Sequence, residues 1–185
     1  NRGVNKRRIF LDDQDYSVFL SLFKRYLSSD RSPNKYGETY ENLSDEIVLL
    51  AYCLMPNHLH LLVFQKNASG MTNLMRRVFT SYSMYFNKKH KRVGDLFQDA
   101  YKAKHINSDE YLQHISRYIH LNADGWRKFG YSSIDFYAGN KEADWLDPKP
   151  ILDIFKGQKE YFEFLADYED YKKSLDAIKY MLADH

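Results

Sequence analysis

Two apolar runs with a short break between them constrain this chain more than any other feature. Residues 46–54 (EIVLLAYCL) and 58–64 (HLHLLVF) are each of strand length, and Pro56 and Asn57 between them make a turn. Strands joined that closely run antiparallel, because a parallel pair needs a crossover of a dozen or more residues. A hairpin therefore sits near the middle of the chain, and the other elements have to pack on it.

The flanking segments alternate helix and strand. Residues 1–11 (NRGVNKRRIFL) read as the end of a strand and a turn. Without an initiator Met, the start of that strand is expected to lie upstream. A helix is predicted from a cap at Asp12 or Asp13 to about Ser28, with Tyr16, Phe19, Leu20, Phe23 and Leu27 at helical spacing. Residues 29–44 are polar, contain Pro33 and Gly37, and read as a long surface loop. After Gly70 a second helix spans about 71–90, with Met71, Leu74, Met75, Val78, Phe79, Tyr82 and Phe86 as its apolar stripe. Gly94 breaks it, and 96–104 (LFQDAYKAK) read as a strand. Ser108 caps a helix that carries Asp109 and Glu110 in its first turn and runs to about Asn122. Residues 123–150 read as irregular, and 151–183 as short helices with Ile151, Phe155, Phe162, Leu165, Leu175, Ile178 and Leu182 as packing positions.

This order predicts an α+β fold. Its centre is a ferredoxin-like or RRM-like antiparallel sheet (βαββαβ) with helices on one face, followed by a C-terminal helical appendage. The boundary is placed between residues 1–139 and 140–185. No apolar run reaches the roughly 18 residues of a membrane span, so no membrane partner is expected. The one cysteine, Cys53, excludes an internal disulfide framework and a multi-cysteine zinc site, and a cytoplasmic location is the simplest expectation.

Net charge is only +2, but residues 76–105 hold 8 Lys/Arg against 2 Asp/Glu, while 140–185 hold 7 against 11. The basic block comprises Arg76, Arg77, Lys88, Lys89, Lys91, Arg92, Lys102 and Lys104. Tyr82, Tyr85, Phe86, Phe97 and Tyr101 lie among them. Such a block suits a phosphate backbone and base stacking, or is a solvated helix face. Lys6, Arg7 and Arg8 are further candidates for phosphate contact. The acidic tail reads as a packed appendage or as a cover over a basic groove.

Two local patterns point to chemistry. In a strand, residues i and i+2 share a face, so His58 and His60 present two imidazoles together while Leu59 and Leu61 face apolar packing. Two imidazoles so placed either share a divalent cation or are polar residues on a solvated face. On the helix that Ser108 caps, Tyr118 and Asn122 are four apart and share a face, with His114 four residues back. Tyr118 is either a nucleophilic hydroxyl or one of 16 tyrosines in the core. Asn122 is either a neutral oxygen ligand or a helix cap.

The segment Ala51-Tyr52-Cys53-Leu54-Met55-Pro56-Asn57-His58-Leu59-His60-Leu61-Leu62-Val63 resembles the signature of the single-tyrosine HUH transposases of small insertion sequences and their REP-associated relatives. Asn1-Arg2-Gly3, Tyr85-Phe86-Asn87 through Gly94-Asp95-Leu96-Phe97-Gln98, Tyr101-Lys102, and Arg117-Tyr118-Ile119-His120-Leu121-Asn122 are similar to further segments of that family, in order over about residues 1–137. The pattern is closer to the REP-associated branch. Ala100 stands where the family often has Arg, and Ala123 and Asp124 follow Asn122 where Pro is frequent.

The resemblance implies cleavage and rejoining of single-stranded DNA, often beside a hairpin. It implies that His58, His60 and Asn122 hold Mg²⁺ or Mn²⁺. It also implies that Tyr118 attacks the scissile phosphate to give a 5′-phosphotyrosine. The basic block would then grip the hairpin stem through phosphates. The resemblance leaves a homodimer and a monomer both open. The rival expectation is a structured DNA- or RNA-binding module on the same fold that does not cleave.

Overall fold

The computed structural model describes residues 1–31, 33, 36–123 and 125–167. Its regular elements are α1 (Asp13–Leu27), β1 (Ile47–Met55), β2 (His58–Gln65), α2 (Gly70–Lys89), α3 (Asp109–His120), α4 (Ile134–Tyr137), α5 (Lys149–Ile154) and α6 (Gln158–Ala166). The expected packing positions Leu175, Ile178 and Leu182 lie outside the described residues.

The hairpin forms as its turn requires. Strands β1 and β2 pair antiparallel from Ile47↔Gln65 to Met55↔His58, with an irregularity between Leu49 and Ala51. That extra residue changes which positions face which side. Leu49, Tyr52 and Leu54 belong to one core, while Leu50, Ala51 and Cys53 belong to another. β1 is thus covered on both faces, which accounts for its nearly unbroken apolar run.

Short pairings extend the sheet on both sides. Arg2 bridges His58 and Gly3 bridges Phe97, both antiparallel. Gly3 N donates to Asn57 O at 2.9 Å, and Gln98 N donates to Arg2 O at 2.9 Å. The lateral order is the Phe97 segment, residues 1–3, β2, β1, the order of a ferredoxin-like sheet. The expected strand over 96–104 does not form: within it only Phe97 takes a bridging position. The antiparallel register sets Gln98 and Asp99 opposite Arg2 and Asn1, and among the described residues 100–107 have no strand partner. At the other edge, Cys53 bridges Ser132, and Leu54 N donates to Tyr131 O at 3.0 Å. A segment expected to be an irregular connection thus shields the outer edge of β1.

The helices divide between the faces. α1 is capped by Asp12, whose carboxylate accepts from Asp15 N, and its Phe19 and Phe23 join Leu74, Val78, Tyr82 and Phe86 of α2 in the first core. These are the two helices of the βαββαβ unit, and they share one face. The close approach of α2 to the hairpin needs glycine, since a Cβ on Gly70 would lie 2.6 Å from Glu46 O. α3 packs on the other face, where Ile115, Tyr118 and Ile119 form a second core with Tyr137, Ile151, Phe155, Tyr161 and Leu165. Residues of α5 and α6 therefore complete the packing of α3. No described helix is long and apolar enough to cross a membrane.

Candidate active site

Alternation along β2 separates its side chains as the sequence predicts. Leu59 lies in the first core, whereas His58 and His60 project toward α3, with ring centroids 5.1 Å apart. Their cross-strand partners are Met55 and Cys53. Directly opposite residues share a face, so the Cys53 thiol stands beside His60. Burial pushes that thiol up to about 12, which keeps it protonated and a poor metal ligand.

Helix α3 brings the other two residues. Ser108 caps it, its hydroxyl accepting from Tyr111 N at 3.3 Å. The helix ends at His120, two residues short of the expected end, and Asn122 lies in the turn beyond. Asn122 still reaches the strand: its Oδ1 is 3.2 Å from His58 Nε2. The Tyr118 ring packs edge-on to His60 with centroids 5.1 Å apart. Tyr118 is 6% exposed. Burial raises its pKa from the usual 10, opposed by a hydrogen bond from the Asn122 amide and by the nearby charge of Arg2.

The donor atoms around His58 carry a specific message. Its Nδ1 lies 2.7 Å from Asn57 Oδ1, and its Nε2 lies 3.2 Å from Asn122 Oδ1. A neutral imidazole has one N–H. With that hydrogen on Nε2 the ring donates to Asn122; with it on Nδ1 the ring donates to Asn57, and the Nε2 lone pair and the Asn122 oxygen can then share a cation. Two ligands at right angles on a divalent ion with bonds of ~2.1 Å stand ~3 Å apart. In that second tautomer Asn57 stands where metal-binding histidines commonly have an outer hydrogen-bond partner. The donor set of two imidazoles and a carboxamide oxygen therefore fits a divalent cation.

Among the described residues a second ligand cluster, Asp12, Asp15 and His90, draws together at the start of α1 and the end of α2. Lys89 already sits in it, with Nζ 2.6 Å from Asp12 Oδ1 and 2.9 Å from Asp15 Oδ1. Asp15 is 0% exposed and also accepts from Leu11 N and the Tyr85 hydroxyl. This cluster ties two helices together.

The basic block is divided in use. Arg76, Lys88, Lys91, Lys102 and Lys104 are exposed, and Arg92 is half-buried over Phe86. Arg77 pairs with Glu41, and Lys89 with Asp12 and Asp15. The tyrosines proposed for stacking are also engaged: Tyr101 shares a hydrogen bond with Thr72, and Tyr85 donates to Asp15.

Arg2 is the site residue that sequence reasoning missed. Its bridge to His58 places it on the histidine face, and its charge acts on the Tyr118 hydroxyl. No local signal pairs residue 2 with residue 58. His120, on the opposite side of α3 from Tyr118, is fully buried, and burial lowers its pKa to about 3.

A family model described as "Transposase IS200 like" matches residues 7–122, which span β1, β2, α3 and each of His58, His60, Tyr118 and Asn122. No curated protein and no solved structure matches.

Proposed function

The chain belongs to the IS200-like transposase family, and from that premise we propose that it cuts and rejoins single-stranded DNA beside a hairpin through a tyrosine–DNA intermediate. A transposase acts on DNA, so DNA is its partner. In this reading Tyr118 Oη attacks the scissile phosphorus and the P–O3′ bond breaks. The phenol proton passes, overall, to the leaving oxygen, giving a free 3′-hydroxyl and a 5′-phosphotyrosine. Rejoining is the reverse attack by a 3′-hydroxyl. The bond energy is kept in the intermediate, so no nucleotide cofactor is required.

The observation that carries the reading is the convergence of His58 Nε2 and Asn122 Oδ1, 3.2 Å apart, with His60 and the buried Tyr118. His58, His60 and Asn122 would hold Mg²⁺ or Mn²⁺, which when bound supplies positive charge to the phosphate oxygens. In this reading Asn122 serves both the ligand set and the nucleophile, since its side chain also acts to lower the pKa of the Tyr118 phenol. Arg2 adds a fixed positive charge on the same face. The exposed Arg76, Lys88, Lys91, Lys102 and Lys104 would hold the stem through phosphates without reading sequence.

The burial of Tyr118 favours the rival, a binding module that does not cleave. One experiment separates the two. A hairpin oligonucleotide with a single-stranded flank is mixed with protein and Mn²⁺ and run on a denaturing gel. A slow protein–DNA band in wild type, absent in Tyr118→Phe, is the expected result. A shift on a native gel with no denaturation-resistant band would establish the rival.

A further inference from the structure

Resting on the roles given to Tyr118 and Asn122 above, we infer that His120, Ser133 and Tyr161 form a positioning device that sets the rotation of α3 and so aims Tyr118 and Asn122 at the histidines of β2. The device includes α6, which lies outside the segment shared with the family.

Rotation about its own axis decides what a helix presents. Residues 118 and 120 are about 200° apart around an α-helix, so fixing one fixes the other on the opposite side. The apolar contacts of Ile115 and Ile119 hold α3 against the sheet, but hydrophobic contact is non-directional. Hydrogen bonds have narrow geometry. His120 is 0% exposed and uses both ring nitrogens: Nδ1 lies 2.6 Å from Tyr161 Oη and Nε2 lies 2.7 Å from Ser133 Oγ.

Ser133 is itself fixed to β1. Its Oγ accepts from Tyr52 N at 2.9 Å and donates to Tyr52 O at 3.2 Å, and Ser133 N donates to Tyr52 O at 3.0 Å. With the serine hydrogen on that carbonyl, His120 Nε2–H donates to Ser133 and Nδ1 accepts the Tyr161 phenol. Tyr52 adjoins Cys53, the cross-strand partner of His60. One hydroxyl thus links the nucleophile helix to the strand that sets the position of the histidines. A second tie runs parallel: the Tyr137 ring packs edge-on to His120 at 4.5 Å, and its hydroxyl donates to Leu50 O at 2.9 Å. A rotated α3 would leave a buried imidazole and a buried phenol unpaired, so the network resists rotation.

The test uses Tyr161→Phe and Ser133→Ala in the full chain, the first of which keeps the ring and its packing. Adduct formation is timed at saturating hairpin DNA with Mn²⁺, at a temperature where every variant is folded, and DNA affinity is measured separately. The expected result is a rate about tenfold lower for each variant and no lower for the double variant, with DNA affinity unchanged within twofold. Wild-type rates in both single variants, or equal losses of rate and affinity, would overturn the inference. A wild-type protein that forms no adduct removes the cleavage reading instead. The positioning role is then decided by hydrogen exchange over residues 115–122, where faster exchange in Tyr161→Phe supports it and unchanged exchange refutes it.

Discussion

On one face of the hairpin, Leu49, Tyr52, Leu54 and Leu59 meet the aromatic side chains of α1 and α2; on the other, Cys53, His58, His60 and Leu62 meet α3. The first face is sealed: Phe19, Phe23, Leu74 and Tyr82 are 0% exposed, and Phe19 packs edge-on to both Phe23 and Tyr82. The second mixes apolar packing with polar atoms, and His58, His60 and Asn122 are only half-buried. A strand has two faces at period two, so one hairpin can devote one to cohesion and the other to chemistry. Rigid packing on the first face holds the histidines in place on the second.

The comparison breaks if the two faces do not separate on mutation. The largest expected effect belongs to Tyr118→Phe. Adduct formation should fall on the order of a thousandfold or more, to the background of the gel, with thermal stability and hairpin binding nearly unchanged. Next is Phe19→Ala on the opposite face, which should cost about 3–5 kcal/mol in chemical denaturation. Its adduct rate per folded molecule should match wild type; a lost rate in the folded protein would mean the faces are coupled.

Asn122→Ala should lower Mn²⁺ affinity about 10- to 100-fold in a titration without DNA, while Asp12→Asn should leave that titration unchanged, because Lys89 already occupies the Asp12 cluster. The smallest effect sharpens a comparison within the basic block. Lys88→Ala should weaken binding of all hairpin sequences alike and reduce the salt slope by about one unit. Lys89→Ala should leave the slope near wild type and lower stability instead, since it strips the buried Asp15 of its ammonium partner.

Much of the fold follows from local rules. The limits of α1, α2 and α3 lie within a residue or two of the expected ones, and the caps at Asp12 and Ser108 act as their spacing predicts, whereas α4 forms within a segment expected to be irregular. The strand expected over 96–104 fails for a reason local rules do not contain: a strand exists only where another backbone pairs with it. The same reason hides the 131–133 edge segment, whose short Tyr-Ser-Ser sequence after Gly130 carries no strand signal but whose backbone has β1 to pair with. The hydroxyls of Tyr85 and Tyr101 also find partners distant in sequence, Asp15 and Thr72.

The candidate site divides along the same line. That His58 and His60 share a face is a consequence of strand period, and that Tyr118 and Asn122 come near one another follows from their spacing of four, although α3 ends before Asn122. These are properties of a few consecutive residues, so the sequence alone determined them. The meeting of Asn122 with His58 across 64 residues, the arrival of Arg2 beside the same histidine, and the capture of Arg77 and Lys89 by carboxylates were decided by tertiary structure. The packing of α3 against the hairpin brings together atoms whose separation along the chain says nothing of their separation in space.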